Sequence, residues 1–339
     1  MLRTATIRKL AFMALGLLAS SQSNANLTLT ADGVALGFNL TQFALTNPGN
    51  NGCCNGPFGV AIDVASGHVL VNVGGTGLRY VFNDVDGQTL ATAIGAPVAS
   101  NTYVGAYATA GGKAYGASYN DGKFYQFNGD GTVNHQLTGV TASAYLGMWG
   151  NPVNGHLIAT TTGSGLIDID PLANGGLGSF RIINGASGDG VSVSPDGKTV
   201  YLAEGNILAY DIATGASTGS FAPGIGFGLD GTGVITSAGL LNGRIVAAMN
   251  SGDVNLVNPL DGTFVQIATG GTRLDYTSPD VLNGTLFIDG ADAVWRLSCG
   301  ADCSIGGPPV VSVPEPAEYA LMLGGLAAIG ALARRRRLR

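Results

Sequence analysis

Short apolar runs of three to five residues, each closed by a glycine-containing turn, fill residues 55 to 300 and leave no stretch with helical periodicity. The turns recur. Ser66-Gly67, Gly111-Gly112, Asn154-Gly155, Asp196-Gly197, Asn242-Gly243 and Asn283-Gly284 are spaced by 45, 43, 42, 46 and 41 residues. Each precedes an apolar run such as His68-Val69-Leu70-Val71, Val200-Tyr201-Leu202 or Leu286-Phe287-Ile288. A second series at Gly87, Gly131, Gly175, Gly215 and Gly262 has steps of 44, 44, 40 and 47. Asn-Gly and Asp-Gly suit two-residue hairpins because both central residues take positive φ at low cost. Each unit therefore predicts four short antiparallel strands, clearest in the fourth: Val191–Val193, Thr199–Leu202, Ile207–Tyr210 and Ser217–Phe221.

Four strands per unit of about 43 residues is the period of a β-propeller blade. Six turns imply an all-β, six-bladed β-propeller, with a seven-bladed ring as the alternative. The sixth unit has no fourth strand after Trp295-Arg296-Leu297, since Cys299 to Pro309 reads as loop. Residues 27–45 hold spare strand material, Leu27–Thr30 and Phe38–Leu45, and are expected to supply the outer strand of the last blade. Closing the ring removes the unpaired edges that an open array would expose.

Two units carry a resemblance. Gly190-Val191-Ser192-Val193-Ser194-Pro195-Asp196-Gly197-Lys198-Thr199-Val200-Tyr201 resembles a YVTN-type repeat, and Gly56-Pro57-Phe58-Gly59-Val60-Ala61-Ile62-Asp63 resembles the opening of an NHL repeat. Both families form propellers, which agrees with the reading from the turn period.

Composition narrows the class. Charged residues make up 11 % of the 339 residues, against roughly 25 % in an average domain, and 55 glycines lie along the chain without a three-residue period. Collagen, coiled coil and intrinsic disorder are excluded. Eight of the 16 basic residues lie at the two ends. Residues 26–312 hold 8 basic and 20 acidic residues, a net charge near −12, with Glu204 the one Glu. Such a body repels nucleic acid and anionic surfaces.

The ends read as addresses. Arg3, Arg8 and Lys9 precede the apolar run Leu10–Ala19, and Ser23-Asn24-Ala25 fits a cleavage site, so residues 1–25 are expected to be a secretory signal peptide cut after Ala25. At the other end Val313-Pro314-Glu315-Pro316 precedes an apolar stretch, Tyr319 to Ala333, and then Arg334 to Arg337. As a helix fifteen residues span about 22 Å, short of a hydrocarbon core of about 30 Å, and snorkelling arginines make up part of the difference. The order of these three elements resembles the PEP-CTERM sorting tail. That resemblance implies a transmembrane sorting helix and recognition by an exosortase, a membrane protease-transpeptidase of Gram-negative bacteria that make exopolysaccharide. An uncleaved anchor is the alternative. The expected organisation is a signal peptide at 1–25, a propeller at 26–304, a linker at 305–312 and a sorting tail at 313–339. The protein is expected to cross the inner membrane, first as a membrane-held precursor, and to reach the cell surface or extracellular matrix, with exopolysaccharide as a partner.

Candidate chemistry is sparse. Cys53, Cys54, Cys299 and Cys303 flank the ring seam, and export favours disulfides. Of the three possible pairings, those joining Cys53 or Cys54 to Cys299 or Cys303 are expected, because they would lock the closure. His68 and His156 occupy a repeated post-turn position and are expected to be solvated turn neighbours. No nucleophile elbow, zincin motif or phosphate loop is present. Asp84-Val85-Asp86-Gly87 and Asp168-Ile169-Asp170 start like calcium loops but lack the bidentate Glu, and read as Asp-rich turns. The mouth of the ring, where the innermost strands begin, gathers Asn55, Asn101, Asp189, Asp230 and Asp275. Of these Asp189, Asp230 and Asp275 are candidate Ca²⁺ ligands, or turn residues. Asp189-Gly190 falls where gluconolactonase-like propellers present a metal-binding Asn, although that family's first-blade Glu has no counterpart. The function expected is therefore a non-enzymatic binding scaffold without a cofactor. A metal-dependent lactonase-like hydrolase is the alternative.

Overall fold

The computed structural model describes residues 26–307, apart from 51, 53, 54, 101–104, 119–120, 143–144, 227 and 301. Six antiparallel sheets stand around one axis. Their innermost strands are Pro57–Asp63, Tyr107–Ala110, Tyr145–Gly150, Gly190–Val193, Leu229–Ser237 and Leu274–Asp280. Each packs against the next and the sixth against the first, so the ring closes with six blades. Blade four matches its reading closely, with Gly190–Val193, Thr199–Ala203, Ile207–Asp211 and Ser217–Phe221. The inner strands are buried along nearly their whole length and fill the space between blades, where Trp149, Phe82, Phe124 and Phe287 are fully buried.

Ring closure follows the expected route for one of the two spare segments. Asn39–Leu45 pairs antiparallel with Ala293–Ser298 as the fourth strand of blade six, Asn39 opposite Ser298 and Leu45 opposite Ala293. The other segment goes elsewhere. Thr28–Leu29 adds to the outer edge of blade five, against Ala268 and Thr269. A one-turn helix, Ala31–Ala35, links the two, capped where the Gly33 amide donates to Thr30 Oγ1 at 3.1 Å. Gly33 lies so close to the Ile267 carbonyl that a Cβ would overlap it. One N-terminal segment thus ties blade five to blade six.

The cysteines correct the seam reading. Cys299 and Cys303 are bonded to each other, with Cα atoms 5.5 Å apart, and so do not reach across the seam. Cys53 and Cys54 lie outside the described residues. The chain spacing explains the outcome: only three residues lie between Cys299 and Cys303, whereas a cross-seam bond would require two separate loops to meet. The disulfide launches Cys303–Ile305, read from sequence as loop, to pair with Ile235–Ser237 at the far end of blade five.

An ion cluster on Arg296 adds to the strand pairing at the seam. Its guanidinium contacts Asp84, Asp86 (2.5 Å) and Asp280 (3.2 Å), and lies 4.8 and 5.0 Å from the ring centres of Phe43 and Phe287. Asp86 also accepts from Thr41 Oγ1 at 2.7 Å, and Asn283 donates to Asp84 at 2.7 Å. Gln88–Thr89 then runs parallel to Ala44–Leu45, so the blade-one turn covers the closing strand. Asp84 and Asp86 are turn residues, as read, and their task is to clasp blade six.

The histidines are contacts rather than solvated neighbours. His68 Nδ1 lies 2.9 Å from the Gly129 carbonyl of blade two, and His135 Nε2 2.9 Å from the Gly176 carbonyl of blade three. His156 Nδ1 is 2.8 Å from Asp168, which also accepts from Arg181 at 2.8 Å. Among the described residues no helix is long and apolar enough to cross a membrane. Ala25 and the Val313-Pro314-Glu315-Pro316 motif lie outside the described residues.

Candidate functional site

Each blade's first strand begins at one end of the ring, and the close approach of these starts requires glycine. A Cβ on Gly190 would overlap the Asp230 carbonyl, so blade four can lie against blade five only with glycine there. The consequence is that Asp189, immediately before Gly190, and Asp230 meet across the blade interface.

Asp189, Asp230 and Asp275 lie near enough for their charges to act on one another. Asp230 is 4 % exposed, and burial pushes its carboxyl well above the usual carboxylate range, helped by Asp275 and Asp189. Asp275 is buried too and is raised chiefly by burial, while Arg273 Nε donates to it at 2.5 Å. Asn55 is not part of this group; its carbonyl accepts from Asn47 and from the Gly75 amide. Asn101 lies outside the described residues.

The floor is a strut across the channel. Tyr276 of blade six donates its hydroxyl to the Leu146 carbonyl of blade three, on the opposite side of the ring. Phe58 of blade one packs edge-on against Tyr276, ring centres 4.6 Å apart at 74°. Above this strut, a cavity of about 580 Å³ opens between blades three, four, five and six. Asp189, Glu204, Asn250 and Arg273 give it polar walls, and Leu146 and Leu229 give it apolar ones. Buried Asn250 Oδ1 has no hydrogen-bond partner. Among the described residues no three acidic, histidine or cysteine side chains are disposed to hold a metal ion. The donor set explains this: Arg273 already places a cation against Asp275.

Glu204, Asn250 and Arg273 were not found from the sequence. Glu204 and Asn250 sit at or beside turns between second and third strands, which the turn spacing marks only as hairpins. Arg273 had a usable signal, two residues before a mouth Asp on the same strand start.

The opposite end holds a cavity of about 490 Å³ lined by the turns between first and second strands of blades one, two, three and six, and by Gly306 and Gly307. A Cβ on Gly306 would press into the Trp149 ring. The chain therefore leaves the described region at this end.

This architecture is that of a six-bladed β-propeller. No family model matches the chain, and no curated protein matches its sequence. Solved structures match the fold. A gluconolactonase from Xanthomonas campestris is 14 % identical, with a TM-score of 0.55 over 81 % of this chain and 95 % of that one. An auxiliary nutrient binding protein from Bacteroides thetaiotaomicron is 11 % identical, with a TM-score of 0.53 over 77 % of this chain and 76 % of that one. The WD40 propeller domain of Doa1 is 12 % identical, with a TM-score of 0.50 over 71 % and 78 %.

Proposed function

We propose that this protein is an exported binding propeller whose mouth takes a small polyhydroxylated or cationic ligand, such as one unit of a neutral or amino-bearing glycan. The mouth cavity carries the reading. Carboxylates, an amide and a guanidinium stand around one space over an apolar-backed floor, and paired polar groups of this kind fit vicinal hydroxyls or an amine. The nutrient-binding neighbour has the same fold and is in keeping with such a role.

Asp189 and Glu204 are both exposed on the cavity wall, so their removal spares the core. Calorimetric titration of neutral sugars and amino sugars should detect binding, and Asp189→Ala with Glu204→Ala should weaken it at least tenfold, about 1.4 kcal/mol. Unchanged affinity in the double variant refutes this site.

A second reading is a Ca²⁺-dependent lactone hydrolase, suggested by the fold shared with a gluconolactonase, although the described mouth carboxylates are not disposed to hold a metal ion. Metal there would supply polarisation of a carbonyl or activation of water, and would require Asp275 to exchange Arg273 for the ion. Lactone turnover that needs Ca²⁺ and disappears in Asp189→Ala would favour this over binding.

The address is part of the proposal. A signal peptide ending at Ala25 exports the chain, and an exosortase processes the tail beginning at Val313-Pro314-Glu315-Pro316. The body then reaches the surface or an exopolysaccharide matrix. Replacing Pro314-Glu315-Pro316 by alanines should trap a membrane-held precursor in cell fractionation. Normal surface delivery of that variant would rule the sorting role out.

A further inference from the structure

Of the twelve large apolar side chains left exposed among the described residues, seven lie at one end of the ring. Antiparallel blades place the turns between first and second strands and those between third and fourth strands at the same end. The first kind carries Val64, Val153 and Leu240; the second kind carries Val85, Leu172, Leu177 and Leu260. Leu240 and Leu260, both on blade five, are 93 % exposed. No turn needs leucine at its tip for its own geometry, so a face studded in this way marks a contact surface.

Asp261, beside Leu260, accepts from Thr263, and Asp130 and Asp211, in the corresponding turns of blades two and four, accept from Thr132 and Thr214. Asp170 accepts from the amides of Leu172 and Ala173. Lys113, beside Val64, is held at 3.5 Å from Asp63.

This is also the end from which the chain continues. Gly307 lines the cavity here, and eleven residues, 308–318, separate it from the apolar stretch Tyr319 to Ala333. Fully extended, eleven residues reach about 40 Å. If that stretch enters a bilayer, this face is the one held near it.

We infer that the apolar-tipped face of the propeller docks on the lipid surface while the tail is still attached, turning the ligand mouth away from the membrane. The inference rests on the membrane reading of the tail. The bilayer meant is zwitterionic, because the body's negative charge disfavours an anionic one. Leucine and valine tips would enter the headgroup region as the apolar face of an interfacial helix does.

The test uses the full chain reconstituted in phosphatidylethanolamine–phosphatidylcholine vesicles. Trp149 and Trp295 are 0 % and 6 % exposed and form a constant background. Leu240→Trp reports the proposed face. Ser251→Trp, in a turn at the other end of the same blade, is the control. Flotation with vesicles reports the tail separately. The expected result is flotation of both variants, with emission of Leu240→Trp alone moving to shorter wavelength and being quenched by brominated lipid. Flotation with Leu240→Trp as water-exposed as Ser251→Trp overturns docking and leaves the tail reading standing. A shift without quenching by lipid assigns the face to a second copy of the chain and also overturns it. Absence of flotation removes the tail reading and docking together.

Discussion

Arg296→Ala should lower the melting temperature of the protein by roughly 10 °C, corresponding to about 3–5 kcal/mol for leaving buried charges unpaired. Among the described residues Arg296 is the cation paired with Asp84, Asp86 and Asp280 at the seam, and Asp280 is fully buried. Removing it leaves three carboxylates facing one another where the closing strand meets blade one. Burial pushes Asp84 up to about 6, with Asp280 adding to the shift and Arg296 opposing it. Without the guanidinium that opposition is gone, and the damage should grow with pH. Substituting Asp84 and Asp280 by asparagine in the same background should recover part of the loss, because the carboxylate repulsion is removed. Differential scanning calorimetry of the single and triple variants decides the point. A melting temperature within 2 °C of the parent (about 0.5–1 kcal/mol for a domain of this size) would show that the cluster does not hold the ring.

Asp289→Asn should have the opposite sign at neutral and alkaline pH. Asp289 is buried on the second strand of blade six; its Oδ2 accepts the Gly59 amide at 2.7 Å, and its Oδ1 has no partner. Burial, with the Asp275 charge adding to it, raises its pKa to about 7. The folded value lies above the ordinary 3.8, so the folded state holds its proton more tightly than the unfolded one. Stability from this group is therefore complete below about pH 4 and is lost as pH rises through about 7. Asparagine keeps the shape and the bond to Gly59 but cannot ionise, and it leaves an amide donor unsatisfied at a cost of about 1–3 kcal/mol. Since a rise from 3.8 to about 7 corresponds to about 4 kcal/mol, a net gain of about 2 kcal/mol at pH 8 follows, and a net loss of about 1–2 kcal/mol at pH 4, where the folded carboxyl is protonated. Urea unfolding at both pH values measures it. Equal effects at the two pH values would mean that Asp289 does not titrate between them.

These two sites show where reading the chain alone stops. Arg296 lies more than two hundred residues from Asp84 and Asp86, and nothing in either segment names its partner. Only closure of the ring brings the blade-one turn over the last blade. The same limit applies at the mouth. Asp189, Asp230 and Asp275 could be named together because the repeat puts each at the start of an inner strand, and position in a repeat is local information. Glu204 and Asn250 come from hairpin ends whose length and tilt decide whether they face the cavity, and turn spacing does not carry that.

The blade count, the strand order within each blade and the strand borrowed from Phe38–Leu45 followed from the sequence alone, because turn chemistry and short apolar runs are set within a few residues. The partner of Leu27–Thr30 and the strand at Cys303–Ile305 were decided only by tertiary structure. Each depends on which edge lies nearest once the ring has closed, and that distance is a property of the assembled blades rather than of any one of them.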